Sequence, residues 1–517
     1  MSDIINARTV FEALETAAKE SPAGTMLIYE DRKISFQEVN ELSERVACGL
    51  LKLGFKKGDK IGIIGLNQPE WVYTYFAAAK IGMVVTGLSV RYRDTELDYI
   101  INQSETDVVL SLGSLLELDY ISFFDSFKSR IPSVKKYIYI AESGPDGCSL
   151  FADLLKTEID TQALEQAKSL VVPEDTMMII YTSGTTGKPK GAVISHKSQL
   201  ASATAQAIHT KVNSDDLIPL ALPFNHVGGI TCGILTTLLG KGTCILIPMF
   251  SPDYVVDILK KYKTTMATGV PTIHTLLLMN ETFNQLDLSN TRLVVTGGSN
   301  ADSTLLTKLQ KVYPNATIMN LYGLSETSGM VVMSPWDSNV QEILDSIGQT
   351  VGDVKLKLID EKGIEVKQGD VGELCFSGEA VVTKYYGMPE QTSEAFADGW
   401  LNSGDMGLLD EKGNIILMGR KKEMFLQGGF NVYPIEIENH IASHPKVAMV
   451  AGIGVPDAVL GEIGRYFIVP VPHSDLTESE ILDHCKEHLA DYKVPKEIVF
   501  KEELPLSPAG KIMKSAL

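Results

Sequence analysis

The sequence predicts an α/β protein in two unequal parts. A large N-terminal part combines mixed sheets packed by helices with a β-rich subdomain, and a small α+β domain follows it. Three patterns carry this reading. Short apolar runs alternate with helical patterns over residues 1–345, the rhythm of sheets covered by helices on both faces. Strand-like runs joined by Gly/Asp turns take over across residues 346–421. A helix–strand–strand–helix pattern then occupies residues 422–517.

In chain order, residues 36–53 read as an amphipathic helix, 59–65 as a short buried strand, 70–80 as a helix and 83–85 as a strand. Residues 176–180 form an apolar strand that runs into a Gly/Thr loop. The rhythm repeats in a strand at 216–222, a helical stretch at 229–239 and a strand at 243–248. It repeats again in a strand at 265–268, a helix from Pro271 and a strand at 293–296. Residues 354–359, 372–377 and 414–418 read as β-strands. The last domain reads as helix 434–442, strands 447–453 and 465–469, and helix 479–489.

A chain of 517 residues is too long for one ordinary core and calls for at least two domains. Its 46 basic and 65 acidic residues leave a formal charge of −19. That field repels polyanions, so nucleic acid and anionic membranes are poor partners, while a pocket with local donors can still hold one nucleotide. The six cysteines are scattered without a CxxC pair, and no HExxH occurs. Both facts suit a reducing compartment without a structural zinc. No signal-like N-terminus and no apolar run of spanning length are present, so the expectation is a cytoplasmic protein.

The sharpest local feature is the run YTSGTTGKPKG at 181–191, directly after a strand. Its glycines allow the backbone to bend around a ligand, its hydroxyls and N–H groups can form an anion nest, and Lys188 and Lys190 bring positive charge. A polar surface loop and a Walker A loop are the competing readings. Walker A needs Ser or Thr after its lysine, and here Pro189 follows Lys188. This run resembles the signature of adenylate-forming enzymes: acyl-CoA synthetases, luciferases and the adenylation domains of peptide synthetases. Further motifs follow in that family's order along nearly the whole chain.

The second motif is NLYGLSET at 320–327. An aromatic beside glycine can lie on a purine, and a hydroxyl next to a carboxylate can serve phosphate and Mg²⁺. Alone, the pattern is also compatible with a plain turn. GGS at 297–299 follows a strand, with Asn300 where the family usually has proline. SGD at 403–405 and GRKKE at 419–423 come next, and SPAGKIMK at 507–514 lies near the C-terminal end. Read alone, 420–422 is a solvated charge run and Lys511 a solvated lysine.

The resemblance implies ATP, Mg²⁺ and CoA as cofactor and co-substrates, and these roles. Lys511, Thr182, His226 and Glu326 are catalytic, with Glu326 also the Mg²⁺ ligand. The nucleotide and CoA are held by Ser183, Gly184, Thr185, Thr186, Gly187, Lys188, Lys190, Gly298, Ser299, Asn320, Leu321, Tyr322, Gly323, Ser325, Asp405, Arg420 and Gly429. Tyr322 stacks on adenine, Ser325 meets the α-phosphate, and Asp405 and Arg420 hold the ribose. The acid lies against His226, Val227, Gly228, Val270 and Gly297.

His226 sits in PFNHVGG at 223–229, and a core or capping histidine is its alternative role. A carboxylate substrate is already ionised, so His226 is a positioner and not a general base. Lys422 matches the family's hinge, about which a mobile C-terminal domain exchanges Lys511 for the 427–431 face. Leu426 stands where many relatives are basic, and Lys514 where arginine is usual.

The expected function is a carboxylic acid–CoA ligase acting on a medium- or long-chain fatty acid through an acyl-adenylate. Aryl or other small acids, or loading of a free-standing carrier protein, are the alternatives. Luciferase-like oxidation and a decayed nucleotide-binding protein are further readings. A homodimer is compatible with the sequence.

Overall fold

The computed structural model describes residues 4–182, 188–299, 301–507 and 511–517. Ser183, Gly184, Thr185, Thr186, Gly187 and Asn300 lie outside the described residues.

Among the described residues, three sheets of four or more strands build the first part. The largest has seven strands in the order Lys190–Ser195, Thr176–Thr182, Val84–Leu88, Lys60–Ile64, Val108–Leu112, Lys136–Ile140 and Ser149–Leu150. Its neighbours run parallel except at the Lys190–Ser195 edge, where the chain returns antiparallel from the phosphate-loop motif. A five-stranded sheet joins Met266–Gly269, Leu293–Gly297 and Thr317–Leu324 in parallel, then Gly329–Met333 and Gln349–Thr350 antiparallel. A four-stranded sheet pairs Leu217–Leu220 and Thr243–Leu246 with Thr25–Tyr29 and Arg32–Ser35.

Local chemistry sets the helices. Ser35 caps Phe36–Lys52 by accepting from the Glu38 N–H. Pro69–Ile81 starts on its proline and stops at Gly82, which is left-handed with φ 70°. Nearly every side chain of Pro69–Ile81 is buried, Lys80 included, so this helix is central and not amphipathic. The predicted helical stretch 229–239 is a composite: Val227–Gly229, a π-helical segment Ile230–Leu235, then Thr236–Leu239. Such segments are rare and concentrate at functional sites.

The β-rich part orders Lys355–Ile359, Gly372–Ser377, Trp400–Leu409 and Phe396–Ala397, with Ile415–Arg420 paired to Trp400–Leu409. The next strand, Phe425–Gln427, belongs to a different sheet with Phe430–Val432, Gly461–Pro470, Val447–Asp457 and Glu497–Phe500. The chain therefore changes sheets across residues 421–424, the segment that holds Lys422. The last sheet has its own core, in which Phe425, Ile437, Ile441, Tyr466, Ile481 and Cys485 pack together. Two strands there are longer than the sequence predicts, because Val447–Asp457 and Gly461–Pro470 pair along their full length as a hairpin.

Candidate active site

The candidate site forms where the ends of Leu293–Gly297 and Thr317–Leu324, the β-rich part and the C-terminal segment meet. Gly297 ends the strand Leu293–Gly297, and a β-carbon there would stand 2.3 Å from the Leu321 carbonyl oxygen. Only glycine lets these two strands approach so closely. Gly323 is equally restricted, since a β-carbon there would stand 2.0 Å from the Gly329 oxygen. Asn320 is buried, and its N–H donates to Ser334 Oγ at 3.0 Å.

Tyr322 is pinned at its hydroxyl, which donates to Asp405 Oδ2 at 2.5 Å, while its ring packs on Phe376 with centroids 5.8 Å apart. Burial and the charge of Asp405 push the phenol well above its ordinary range, so it stays a donor. Arg420 Nε reaches Asp405 Oδ1 at 2.8 Å. Asp405 and Arg420 face each other across paired strands, which places the pair in register. Burial works against the guanidinium's charge, but Asp405 outweighs it and holds Arg420 above its usual value. The Asp405 N–H donates to Ser403 Oγ at 3.0 Å.

Ser325 and Glu326 open a short turn at the end of Thr317–Leu324. Glu326 accepts the Tyr385 hydroxyl at 2.7 Å, and its carbonyl accepts from the Val382 N–H at 2.9 Å. Lys190 Nζ lies 5.2 Å from the Tyr385 ring centroid. Lys188 Nζ lies 5.6 Å from that of Tyr99, whose hydroxyl donates to the Pro189 carbonyl at 3.0 Å. Thr182 donates to the Lys190 carbonyl at 3.4 Å, across the base of the loop. Tyr385 is a site residue that sequence reading missed. Its segment pairs with the strand after the loop motif through Ala192, and nothing local to the tyrosines at 385–386 signals that.

His226 caps its own short helix, its Nδ1 accepting from the Gly228 N–H at 3.0 Å. Burial and the nearby charge of Lys511 push its pKa down to about 3, so the imidazole is neutral. Its loop is held from the other side by Asn67, also missed from sequence. Asn67 Nδ2 donates to the Leu220 and Leu222 carbonyls at 3.2 and 3.0 Å, and its Oδ1 accepts from the Phe224 N–H at 3.2 Å. Val227 is buried and Gly228 half-buried.

Lys511 enters this group from the C-terminal segment. A β-carbon on Gly298 would lie 3.3 Å from Lys511 Cε, 3.4 Å from Val270 Cγ1 and 3.8 Å from Lys511 Nζ. Burial and the charge of Arg420 lower the Lys511 pKa, while Asp405 and Glu326 pull the other way. Lys511, His226, Val270, Gly298, Asp405, Arg420 and Glu326 therefore share one electrostatic environment, although they span most of the chain. Ser299 is exposed beside Gly298.

Among the described residues, Gly429 has no contact that joins it to this group. It sits in the turn between Phe425–Gln427 and Phe430–Val432 with φ 87°, and a β-carbon on it would meet nothing within 4 Å. Leu426 and Phe430 flank it, each about half exposed. Beside Lys422, Lys421 Nζ pairs with Glu373 Oε2 at 2.9 Å, and Glu373 Oε1 accepts from the Gly404 N–H at 3.0 Å.

The AMP-binding enzyme family matches residues 14–386, and the AMP-binding enzyme C-terminal domain matches residues 436–511. The chain belongs to this family. Within it, the chain is an AMP-forming acid–CoA ligase, with ATP and CoA as co-substrates.

One relative is the 3-[(3aS,4S,7aS)-7a-methyl-1,5-dioxo-octahydro-1H-inden-4-yl]propanoyl:CoA ligase of Mycobacterium tuberculosis, 32% identical over 99% of this chain and 98% of the relative. A long-chain-fatty-acid–CoA ligase of Salmonella typhimurium is 31% identical over 98% of this chain and 93% of its own. Among solved structures, the anthranilate CoA ligase AuaEII in complex with anthranoyl-AMP superposes with a TM-score of 0.89 at 25% identity, covering 99% of this chain and 96% of that one. Among the described residues, no helix is long and apolar enough to cross a membrane.

Proposed function

We propose that this ligase activates a medium- or long-chain fatty acid and that the residues around Lys511 carry the first half-reaction. The supporting observation is the convergence of Lys511 with Arg420, Asp405 and Glu326 on one side and with Gly298, Val270 and His226 on the other. An acid carboxylate oxygen attacks the α-phosphorus of ATP, the bond to the β-phosphate oxygen breaks, and pyrophosphate leaves. Negative charge grows on the α-phosphoryl oxygens, where a buried ammonium is worth more than in water. Lys511 supplies that ammonium. Neutral His226 bounds the acid without taking a proton, and Val227, Gly228 and Gly297 complete the wall. Asp405, Arg420 and Tyr322 position the nucleoside, together with Asn320, Leu321, Gly323 and Ser325. Ser299, Thr182, Lys188 and Lys190 lie toward the phosphates.

Glu326 fits a Mg²⁺ site. Mg²⁺ takes one or two carboxylates plus substrate phosphates, and Glu326 is a single carboxylate with one oxygen held by Tyr385. Among the described residues, no group of three or more His, Cys, Asp or Glu side chains is placed to hold a metal alone. The ion would supply charge neutralisation at the phosphates.

In the second half-reaction the CoA thiol attacks the acyl carbon and AMP leaves. Gly429 belongs to the small domain, residues 422–517, and this step has that domain turn about Lys422 against residues 1–421 to bring it to the thioester. Apolar and small residues dominate 226–233 and 268–272, with no acidic side chain to meet an amino group. That composition supports an apolar acid. A panel of fatty, aryl and alicyclic acids with ATP, Mg²⁺ and CoA tests the proposal. The highest kcat/KM on a fatty acid supports it, and a preference for an aryl or alicyclic acid overturns it. Acyl transfer to a carrier protein without CoA-dependent AMP release would overturn the acceptor.

A further inference from the structure

Lys511 reaches the site from a segment whose own fold is short, so something must hold that segment in place. Part of the support is local. The Ser507 N–H donates to the Lys511 carbonyl at 2.7 Å, the Lys511 N–H donates to Ser507 Oγ at 3.1 Å, and the Met513 N–H donates to the Pro505 carbonyl at 2.8 Å. Part is apolar: Leu504, Ile512 and Leu517 pack against Ala451 and Phe467 on the sheet of the small domain. Neither set of contacts reaches the segment where the chain changes sheets.

Lys514 does. Its ammonium lies 2.7 Å from Glu423 Oε2 and 2.8 Å from Glu438 Oε1. Glu438 is on the helix Pro434–Ala442, is 6% exposed, and has Oε1 fixed by the Gly452 N–H at 2.6 Å. Glu423 follows Lys422 directly, and its N–H donates to the Arg420 carbonyl at 3.1 Å. A continuous set of contacts thus runs from Asp405 through Arg420, Glu423 and Lys514 to the segment carrying Lys511.

We propose that Lys514 is a positioning residue for Lys511, clamping the C-terminal segment to Glu423 and Glu438 so that the small domain carries Lys511 in and out of the site as one body. Both acidic partners lie after Lys422, so the clamp belongs to the small domain and travels with it. Its loss lets Lys511 wander while leaving the other face of that domain intact. The first half-reaction suffers and the second does not. This rests on the adenylation role of Lys511 proposed above.

The test compares full-length wild type, Lys514→Met, Lys514→Arg and Lys511→Ala. Adenylation is read by acid-dependent ATP–pyrophosphate exchange, and thioester formation by CoA-dependent AMP release from supplied acyl-AMP. A displacement of about 1 Å in a reacting group costs on the order of 10²-fold. Lys514→Met should therefore lower the exchange kcat by about 10- to 100-fold and leave the acyl-AMP reaction within about threefold, with Lys514→Arg restoring most of the exchange.

Equal loss in both half-reactions, loss in neither, or no recovery with arginine overturns the proposal. Lys511→Ala separates the two readings. Selective loss of exchange there without selective loss in Lys514→Met removes the clamp alone, whereas unimpaired exchange in Lys511→Ala removes both. Should Lys514→Met show no cooperative unfolding transition, Glu423→Gln replaces it. Glu423 is partly exposed and its loss leaves the Lys514–Glu438 pair. A selective fall in exchange supports the clamp, and an unchanged ratio of the two half-reactions overturns it.

Discussion

Lys511 rests against Gly298, close enough that a single methyl on the glycine would stand 3.3 Å from Lys511 Cε. Gly298 has φ 80°, a conformation that side-chain-bearing residues adopt at a cost. The glycine thus makes room for the lysine and also shapes the turn after Leu293–Gly297. Gly298→Val should weaken both. Thermal unfolding should report a loss of about 1–3 kcal/mol. ATP–pyrophosphate exchange should fall more than the reaction of supplied acyl-AMP with CoA. Exchange at the wild-type rate would show that Lys511 does not need this gap.

Lys511→Ala removes the ammonium next to Arg420, Asp405 and Glu326. Adenylation should fall by about 10²- to 10³-fold, the scale of losing one preorganised donor from a transition state. Thioester formation from acyl-AMP should stay near wild type. Single-turnover assays of each half-reaction would check this, and parallel losses would contradict the assignment.

Asp405→Asn leaves Arg420 without its partner at 2.8 Å and gives Tyr322 a neutral acceptor in place of a charged one. Asp405 is buried while the Arg420 side chain is 44% exposed, so the loss falls mainly on the geometry that Asp405 imposes on Arg420 and Tyr322. AMP affinity by calorimetry should fall by about tenfold or more, the equivalent of roughly 1.4 kcal/mol. Unchanged affinity would remove the pair from the nucleotide site.

His226 should not titrate in the working range. Its pKa is pushed to about 3, so it stays neutral at neutral and mildly acidic pH. The sign follows from linkage: the unfolded chain takes up this proton first, so falling pH through the ordinary histidine range disfavours the fold and not the reaction. The pH profiles of kcat/KM for His226→Asn and wild type should run parallel from about pH 5.5 to 8. A limb that disappears in the variant would reverse this reading.

Lys80, fully buried, pairs with Glu15 at 2.9 Å and with Glu44 at 3.4 Å, and Lys168 joins the same carboxylates. Lys80→Ala leaves Glu15 and Glu44 to Lys168 alone and should cost about 1–3 kcal/mol in urea unfolding. Burial raises the Glu15 pKa, but the two lysines outweigh it and hold it below the ordinary value. Its contribution is therefore complete above the unfolded carboxyl's pKa and is lost as pH falls through the folded one. Lys168 behaves oppositely. Its pKa is raised to about 12, so its contribution is present below the ordinary lysine value and disappears as pH rises through about 12. A stability profile without an acid limb sensitive to Lys80→Ala would contradict this account.

The motifs were legible because each is local. A strand leading into glycines and lysines, the helix Pro434–Ala442 and the strand Gly372–Ser377 follow from residues within a few positions of one another; the last two match their predicted bounds, and the first runs two residues further, to Thr182. The π-helical segment Ile230–Leu235 was not legible, since it arises where a helical run must fit the core around it. Nor were Tyr385 and Asn67. Tyr385 meets Glu326 across 59 positions, and Asn67 meets Phe224 across 157. By itself, then, the sequence pointed to the class of chemistry, the kinds of elements and the residues expected to serve it. The tertiary structure alone decided that Lys511 lies beside Gly298 and Val270 and that Lys514 pairs with Glu423 and Glu438. Short-range propensity and periodicity are written into neighbouring residues, whereas a buried charge finds its partners only once distant segments have packed.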